Sequence, residues 1–406
     1  MNILHVAYSL GESSAATRLA EGQVDAGAKV YFLLGRPSDY IFISSLQIYP
    51  YSMFIFSSII RIIEKILFWV SGVDQSEIFS FGVIGSPQNY FLKKIIKKYQ
   101  IDLIHLHWGG VGYFPLKSIK GLNQKFLVTT HDYHYLTGGC HIPMDCEQYL
   151  NDCINCPLVT SSFIKEIVRK NRVENKKLAN LENVKIIAPS TYTKALVEKM
   201  QGEKIAFVPN TFGRAYSGDE HDIDELILKY RNYKDIHSAS NTLIAVGVNG
   251  SERNNKGQDI LSKVIDNLCK QGRGLILITI GEWFQYSDKL IEHINLSQVS
   301  TLALKDLYAI SDLCLVPSRY ETFSQVTLES IMCCTPVVAF DLSGPRDILG
   351  EAYPLLAKSF DAGDFINIVA NNLNYKKDNL DLLRKKALEA SSKYAPNKAA
   401  SLTSKI

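Results

Sequence analysis

The chain has 406 residues, 46% hydrophobic and 21% charged, with a formal net charge of +3. That is ordinary for a folded protein but too long for one core, since single cores stop growing at about 250–300 residues. The small charge, with no basic block, excludes a dedicated nucleic-acid binder, and no stretch is long and apolar enough to read as a membrane span.

The opening run Met-Asn-Ile-Leu-His-Val-Ala reads as a buried strand. It lacks the charged start and long apolar core of a signal peptide. A cytoplasmic protein with its eight cysteines mainly reduced is the expectation. Short apolar strands then alternate with helical patterns, the signature of parallel sheets covered on both faces. Strands are predicted at Ile3–Ala7, Val30–Leu34, Leu103–His107, Phe126–Thr129, Lys185–Ala188 and Ile205–Val208. Helices are predicted at Ala15–Asp25, Tyr90–Tyr99, Ser162–Arg172 and Thr191–Met200. A polar stretch from Phe212 to Asp222 precedes a second series, with strands at Thr242–Val248, Leu275–Ile280, Leu313–Val316 and Val337–Phe340. Its helices are Gln258–Lys270, Lys305–Ile310 and Gln325–Cys333, the last burying Val326, Leu328 and Ile331. The expected architecture is α/β, two facing doubly wound parallel-sheet domains with a cleft between them and ligands beyond the carboxyl ends of the strands. The expected division is 1–212, 213–388 and a C-terminal helix, 389–406, packing back on the first domain.

Three segments at strand ends carry chemistry. Glu321 and Glu329 bracket the junction between the strand Leu313–Val316 and a helix opening near Ser324. Helix-start amides and the dipole make such a junction an anion site, and Glu329 is placed to accept two hydrogen bonds from a ribose diol. Read alone, the two acids are equally a solvated pair on a surface helix. Asn255-Lys256-Gly257 ends an earlier loop, where Lys256 offers a point charge to phosphate, Gly257 permits close backbone approach and Arg253 is a second cation. The loop Asp341 to Asp347, with Gly344, is the third. In the first half, His107 and Trp108 end one strand and His131 the next, while His105, further back, reads as packed. Trp108 and Tyr133 read either as sugar-stacking or as core aromatics. The turn after the first strand, Gly11-Glu12-Ser13-Ser14, is not G-x-G-x-x-G, which argues against NAD-dependent oxidoreduction. Ser13 or Ser14 caps the first helix and offers a hydroxyl to phosphate.

Cys140, Cys146, Cys153 and Cys156 crowd a polar loop at 137–157. In a cytosolic chain this density reads as a structural zinc site, or otherwise as free thiols. Tyr51 to Val73 reads either as an amphipathic helix resting on the inner membrane leaflet or as a core helix, and Lys93, Lys94, Lys97 and Lys98 follow as a basic patch.

Glu321 to Asp347, the Lys256-Gly257 loop, Ala188-Pro189-Ser190 and Val208-Pro209-Asn210 together resemble the retaining glycosyltransferases of family four, which have the GT-B fold. The Thr137-Gly138-Gly139-Cys140-His141 segment with its later cysteines is similar to a bacterial exopolysaccharide, colanic-acid-type subgroup. The resemblance implies hexosyl transfer, with retention and without a catalytic metal or other cofactor, from a nucleotide diphosphate sugar to a saccharide or lipid-linked acceptor. It further implies that Glu321 and His131 face the donor sugar, Glu329 holds the ribose, and amides of Ser324, Gln325 and Val326 meet the phosphates with Lys256. Ser324 stands where the family has Gly, and Gly247-Val248 where it has Gly-Arg. The competing expectations are a nucleotide-sugar 2-epimerase of the same fold and a non-catalytic sugar- or nucleotide-binding partner.

Overall fold

The computed structural model describes the chain apart from residues 9, 12–13, 36–44, 49–50, 74–78, 83–85, 109–113, 144–145, 203–204, 217–218, 237–239 and 248–254. Residues 45–48, 51–58, 61, 86–88 and 343 are described by backbone alone. The chain divides into two compact units, one of Met1–Thr211 with Pro396–Ile406 and one of Phe212–Ala395.

In the first unit the strands are β1 (Asn2–Ala7), β2 (Lys29–Leu34), β3 (Ser45–Ile48), β4 (Leu103–Leu106), β5 (Lys125–Thr129), β6 (Val184–Ala188) and β7 (Ala206–Phe207). They form one parallel sheet ordered β3-β2-β1-β4-β5-β6-β7. Its helices are α1 (Ala15–Asp25), α2 (Tyr51–Ser71), α3 (Ser86–Tyr99), α4 (Ser162–Ala179) and α5 (Thr191–Gln201). The second unit holds β8 (Asn241–Val246), β9 (Leu275–Ile280), β10 (Ile291–Leu296), β11 (Leu313–Val316), β12 (Val337–Phe340) and β13 (Leu356–Ala357). These are again parallel, ordered β10-β9-β8-β11-β12-β13. Around them lie α6 (Glu220–Ile236), α7 (Gln258–Lys270), α8 (Thr301–Ile310), α9 (Gln325–Met332), α10 (Ser343–Leu349), α11 (Ala362–Asn371), α12 (Tyr375–Asp378) and α13 (Leu380–Lys393), and the last helix, α14 (Pro396–Ser404), returns to the first unit.

The expected pair of doubly wound sheets therefore forms. In each, strand order reverses at one point, between β1 and β4 and between β8 and β11. Successive connections leave such a point in opposite directions, which opens a crevice beyond the strand ends. The central strands are buried throughout, as β9, β11 and β12 are, because helices cover both faces. Strand β10, absent from the sequence reading, is an edge strand whose half-exposed and exposed residues largely alternate, so its polar positions mask it.

Local signals set most helix limits. Ser14, Ser190 and Ser300 cap α1, α5 and α8, each accepting a backbone N–H three residues on. Helix α5 stops at Gly202, which takes the left-handed conformation. Helix α4 runs past the predicted Arg172 to Ala179, because Leu178 and Ala179 extend its buried face.

Helix α14 packs on α1 at Gly22, where a Cβ would lie 2.3 Å from the Pro396 carbonyl oxygen. Ala399 joins a core cluster with Ile3, Leu19, Leu103 and Leu127. In α2, within the segment read as membrane-facing or core, Ile60 and Glu64 are buried while Ile59, Ile62, Ile66, Trp69 and Val70 are exposed. No helix among the described residues is long and apolar enough to cross a membrane.

Candidate functional site

At the switch point of the second unit, backbone contacts that only glycine permits bring three loops together. The loop after β8 ends at Lys256 and Gly257. Gly257 has φ 69°, and a Cβ there would lie 2.0 Å from the Pro317 carbonyl oxygen in the loop after β11. The two loops are joined by Arg319 N donating to Asn255 O (2.7 Å) and Asn255 Nδ2 donating to Tyr320 O (3.2 Å). Lys256 Nζ then donates to Glu321 Oε1 at 2.9 Å, with both side chains mostly buried. Gly344, at the start of α10, lies on the same loop, since a Cβ would stand 1.8 Å from the Phe323 carbonyl oxygen. Arg253 and Val248 lie outside the described residues.

Helix α9 opens directly after these contacts, so the amides of Gln325 and Val326 belong to its first turn, at the positive end of its dipole. Leu328 and Ile331 are buried as expected, but Val326 is only half-buried, at the margin of the core cluster it packs against. Glu329 is 4% exposed, and burial together with its charge drives the Tyr308 hydroxyl well above the usual tyrosine range. Ser324 holds φ 74° and ψ 80°, the left-handed region, which accounts for glycine being the residue the resemblance leads one to expect there. Its hydroxyl lies 2.8 Å from Thr327 Oγ1. The variants Ser324→Ala and Ser324→Gly both lose that bond, but only glycine relieves the backbone. Ser324→Gly should be the more stable of the two by about 1 kcal/mol in urea unfolding. Equal midpoints would show that no strain is stored here.

The first unit places histidines at its own switch point. His5 on β1 lies between Gln23 of α1 and His107 beyond β4: His5 Nε2 is 2.8 Å from Gln23 Oε1, and His5 Nδ1 is 2.8 Å from His107 Nε2. His107 Nδ1 is in turn 2.9 Å from His131 Nε2. His107 and His131, both read from the sequence, are thus brought into direct contact. His5 and Gln23 were missed, because one histidine inside a first strand carries no signal of partners far along the chain. His105 is packed, as expected, with Nε2 2.7 Å from Thr129 Oγ1. Tyr133 is a core residue rather than a sugar platform: it is fully buried and donates its hydroxyl hydrogen to Thr193. Trp108 is 36% exposed and meets Tyr8 edge-on. The Ser14 hydroxyl is engaged at the cap of α1, and Ser13 lies outside the described residues.

Burial holds His5 and His131 down to about 4, and His107 and His105 well below the usual range. Below pH 6.5 the unfolded chain takes up protons that these rings refuse, so stability falls as pH drops from 6.5 toward 4. Each ring should contribute a loss of roughly 2 kcal/mol by pH 5. Urea midpoints that stay level between pH 7 and pH 5 would contradict the neutral, buried state of these rings.

Next to this chain, Asp132 accepts from His134 Nδ1 (2.6 Å) and His141 Nδ1 (2.7 Å). Burial pushes its carboxyl up, but the two imidazoles outweigh that and hold it well below the carboxylate range.

The four loop cysteines line one cavity of about 200 Å³, and burial pushes the Cys153 thiol up to about 11. Among the described residues, two groups of three bring ligand atoms within 4.8 Å of one another, His5–His105–His107 and Asp132–His134–His141. Neither contains a cysteine. Cys140, Cys146, Cys153 and Cys156 are thus brought to one place, and a set of four thiols is a donor set that suits zinc. The two histidine groups are held by stacking and hydrogen bonds among their own rings and carboxylate.

Residues 230–388 match the family described as glycosyl transferases group 1. The phosphatidylinositol N-acetylglucosaminyltransferase GPI3 subunit of Saccharomyces cerevisiae (strain YJM789) is 21% identical over 311 residues, 74% of this chain and 60% of that protein. The chain thus spans about 60% of the length of this curated relative. Sucrose-phosphate synthase from Thermosynechococcus elongatus superposes with a TM-score of 0.63 at 15% identity, covering 100% of this chain and 98% of the other. WaaG, a glycosyltransferase involved in lipopolysaccharide biosynthesis, gives 0.62 at 13% identity over 98% of each chain. HepE from Anabaena, solved with UDP-glucose, gives 0.60 at 15% identity, covering 100% and 99%. The fold is GT-B, and the match to the glycosyl transferases group 1 lies within the second unit.

Proposed function

We propose that the chain transfers a hexosyl group, with retention, from a nucleotide diphosphate sugar to a saccharide or lipid-linked acceptor in assembly of a bacterial surface polysaccharide. Residues 213–388 would bind the donor and 1–212 the acceptor, with the 389–406 segment completing the first domain. The observation that carries this is the pairing of Lys256 with Glu321 at a sheet switch point, against the opening turn of α9. HepE, of the same fold, was solved with UDP-glucose and with UDP and glucose, and WaaG acts in lipopolysaccharide biosynthesis.

In this reading the diphosphate meets the amides of Ser324, Gln325 and Val326 and the Lys256 ammonium, with Gly344 allowing close approach of the third loop. Glu329 accepts from the ribose diol. Glu321 orients Lys256 and takes donor-sugar hydroxyls, and His131 contacts the sugar near the reacting carbon, with His107 and Trp108 on the acceptor side. The bond from sugar carbon to phosphate oxygen breaks, the acceptor hydroxyl attacks on the same face, and its proton passes to the departing phosphate. Ammonium and amides stabilise the charge that builds there, so the proposed step needs no metal.

Lys256→Ala should lower kcat by about 10²–10³, the usual cost of one such donor. Glu329→Ala should instead raise the dissociation constant for nucleotide about tenfold or more. Unchanged kinetics in both would sink the assignment. Nucleotide diphosphate released only when acceptor is present supports transfer. A donor isomer formed without acceptor would identify an epimerase, and no turnover with any donor a binding partner.

The same reading puts the protein at the cytoplasmic face of a membrane, with α2 as the contact. Ile59, Ile62, Ile66, Trp69 and Val70 recur at helical spacing and face outward, Trp69 being 84% exposed. The carboxylate of Glu64 is turned inward, where it accepts from Phe81 N and Gly82 N. Lys93, Lys94, Lys97 and Lys98 are exposed on α3, which packs against α2. An apolar stripe beside lysines suits an anionic bilayer surface. The protein should co-sediment with phosphatidylglycerol-containing vesicles, less with pure phosphatidylcholine and less at high salt, and Trp69→Ser should weaken this severalfold. Failure to bind either vesicle, or full binding by Trp69→Ser, would remove α2 from this role.

A further inference from the structure

We infer that Gln23 and Thr403 are positioning residues that set the tautomer of His131 through an unbroken hydrogen-bond chain, leaving its Nδ1 as a proton acceptor. The chain itself stands on geometry; what His131 accepts from rests on the transferase reading.

The chain begins in α14. The Thr403 hydroxyl donates to the Ala400 carbonyl at 2.9 Å, so its oxygen accepts from Gln23 Nε2 at 3.3 Å. That contact orients the Gln23 amide with Oε1 toward His5 Nε2, 2.8 Å away. An amide oxygen only accepts, so His5 Nε2 carries the hydrogen and, in a neutral ring, Nδ1 does not. His5 Nδ1 therefore accepts from His107 Nε2, and His107 Nδ1 accepts from His131 Nε2. With Nε2 as its N–H, neutral His131 has its lone pair on Nδ1. The opposite direction requires the amide reversed, which turns the Thr403 hydroxyl away from the Ala400 carbonyl.

The rings are placed to stay neutral. His5 and His107 are fully enclosed, and their ring centroids lie 5.1 Å apart, with His105 4.2 Å from His107 and 5.4 Å from His5. Burial lowers the proton affinity of every ring in the chain. A second proton on His5 or His107 would also set two N–H groups against each other at a 2.8 or 2.9 Å contact. His105 stands outside the chain, bound to Thr129.

The consequence is specificity of a simple kind. His131 accepts a hydrogen bond from a hydroxyl, as on a sugar, and does not donate one through Nδ1. A residue in the last helix thereby reaches the site through four side chains without touching substrate.

Long-range ¹H–¹⁵N spectra of the full chain, ¹⁵N-labelled at histidine, read the tautomer directly at pH 7.5, with His131 assigned by loss of its signals in His131→Asn. The expected wild-type pattern is a protonated Nε2 and pyridine-like Nδ1 at His5, His107 and His131. Gln23→Met removes the terminal acceptor and should give His131 a substantial Nδ1–H population. Thr403→Val should shift it the same way, and Thr403→Ser, which keeps the hydroxyl, should not. An Nδ1–H on His131 in the wild type, or a His131 tautomer unmoved by both Gln23→Met and Thr403→Val, overturns the proposal. Thr403→Val serves alone if Gln23→Met fails to fold. No substrate enters these spectra, so they stand or fall separately from the transferase assay. Where transfer is measured, Gln23→Met and Thr403→Val should lose about fivefold, the weight of one neutral hydrogen bond, with Thr403→Ser near wild type. Full activity with a shifted tautomer would deny His131 its acceptor role.

Discussion

Two backbone carbonyls, those of Pro317 and Phe323, occupy space that a side-chain carbon would need, and the candidate donor site depends on that. Gly257 and Gly344 meet them. A Cβ at Gly257 forces the loop after β8 away from the loop after β11, and with it Lys256 from Glu321, and a Cβ at Gly344 does the same to the loop after β12. The same constraint reaches Ser324. With Phe323 pinned under Gly344 and Gln325 already helical, the one residue between must turn through the left-handed region. Strain at this position is thus the local consequence of bringing three loops to one point.

The two units treat buried polarity differently. In the second, opposite charges meet: Lys256 with Glu321, and Lys305 with Asp222 and the Ala215 carbonyl. Lys376 lies wholly buried, donating to the Ala309 and Ser311 carbonyls where α8 ends, and burial brings its pKa down to about 8. In the first unit the strand ends carry neutral imidazoles bonded ring to ring. Charge suits a diphosphate, whereas neutral acceptors and donors suit hydroxyls.

Much of the fold was legible because fully covered strands are continuous apolar runs. Leu275–Ile280 and Val337–Phe340 could be read to the residue. The edge strands of the second unit were not: Ile291–Leu296 alternates with polar residues, and Leu356–Ala357 is too short to signal anything. Chain order alone also brought Lys256, Glu321 and Gly344 to one sheet edge, since each follows a parallel strand. What the sequence could not convey was competition for atoms. Tyr133, legible either as a sugar platform or as a core aromatic, is spent on Thr193. His5 stayed hidden because its partners, Gln23 and His107, lie 18 and 102 residues away.

The chain leaves the first unit after Thr211 and re-enters it at Pro396, so the second unit is an insertion within the first. During synthesis the inserted unit is therefore complete before the first one can be. Helix α14 seals against α1 over Gly22 and shares Ala399 with the core around Ile3 and Leu103. Until those last residues emerge from the ribosome, the earliest-made strands wait with one face uncovered, and the order of translation is the reverse of the order in which the two units close.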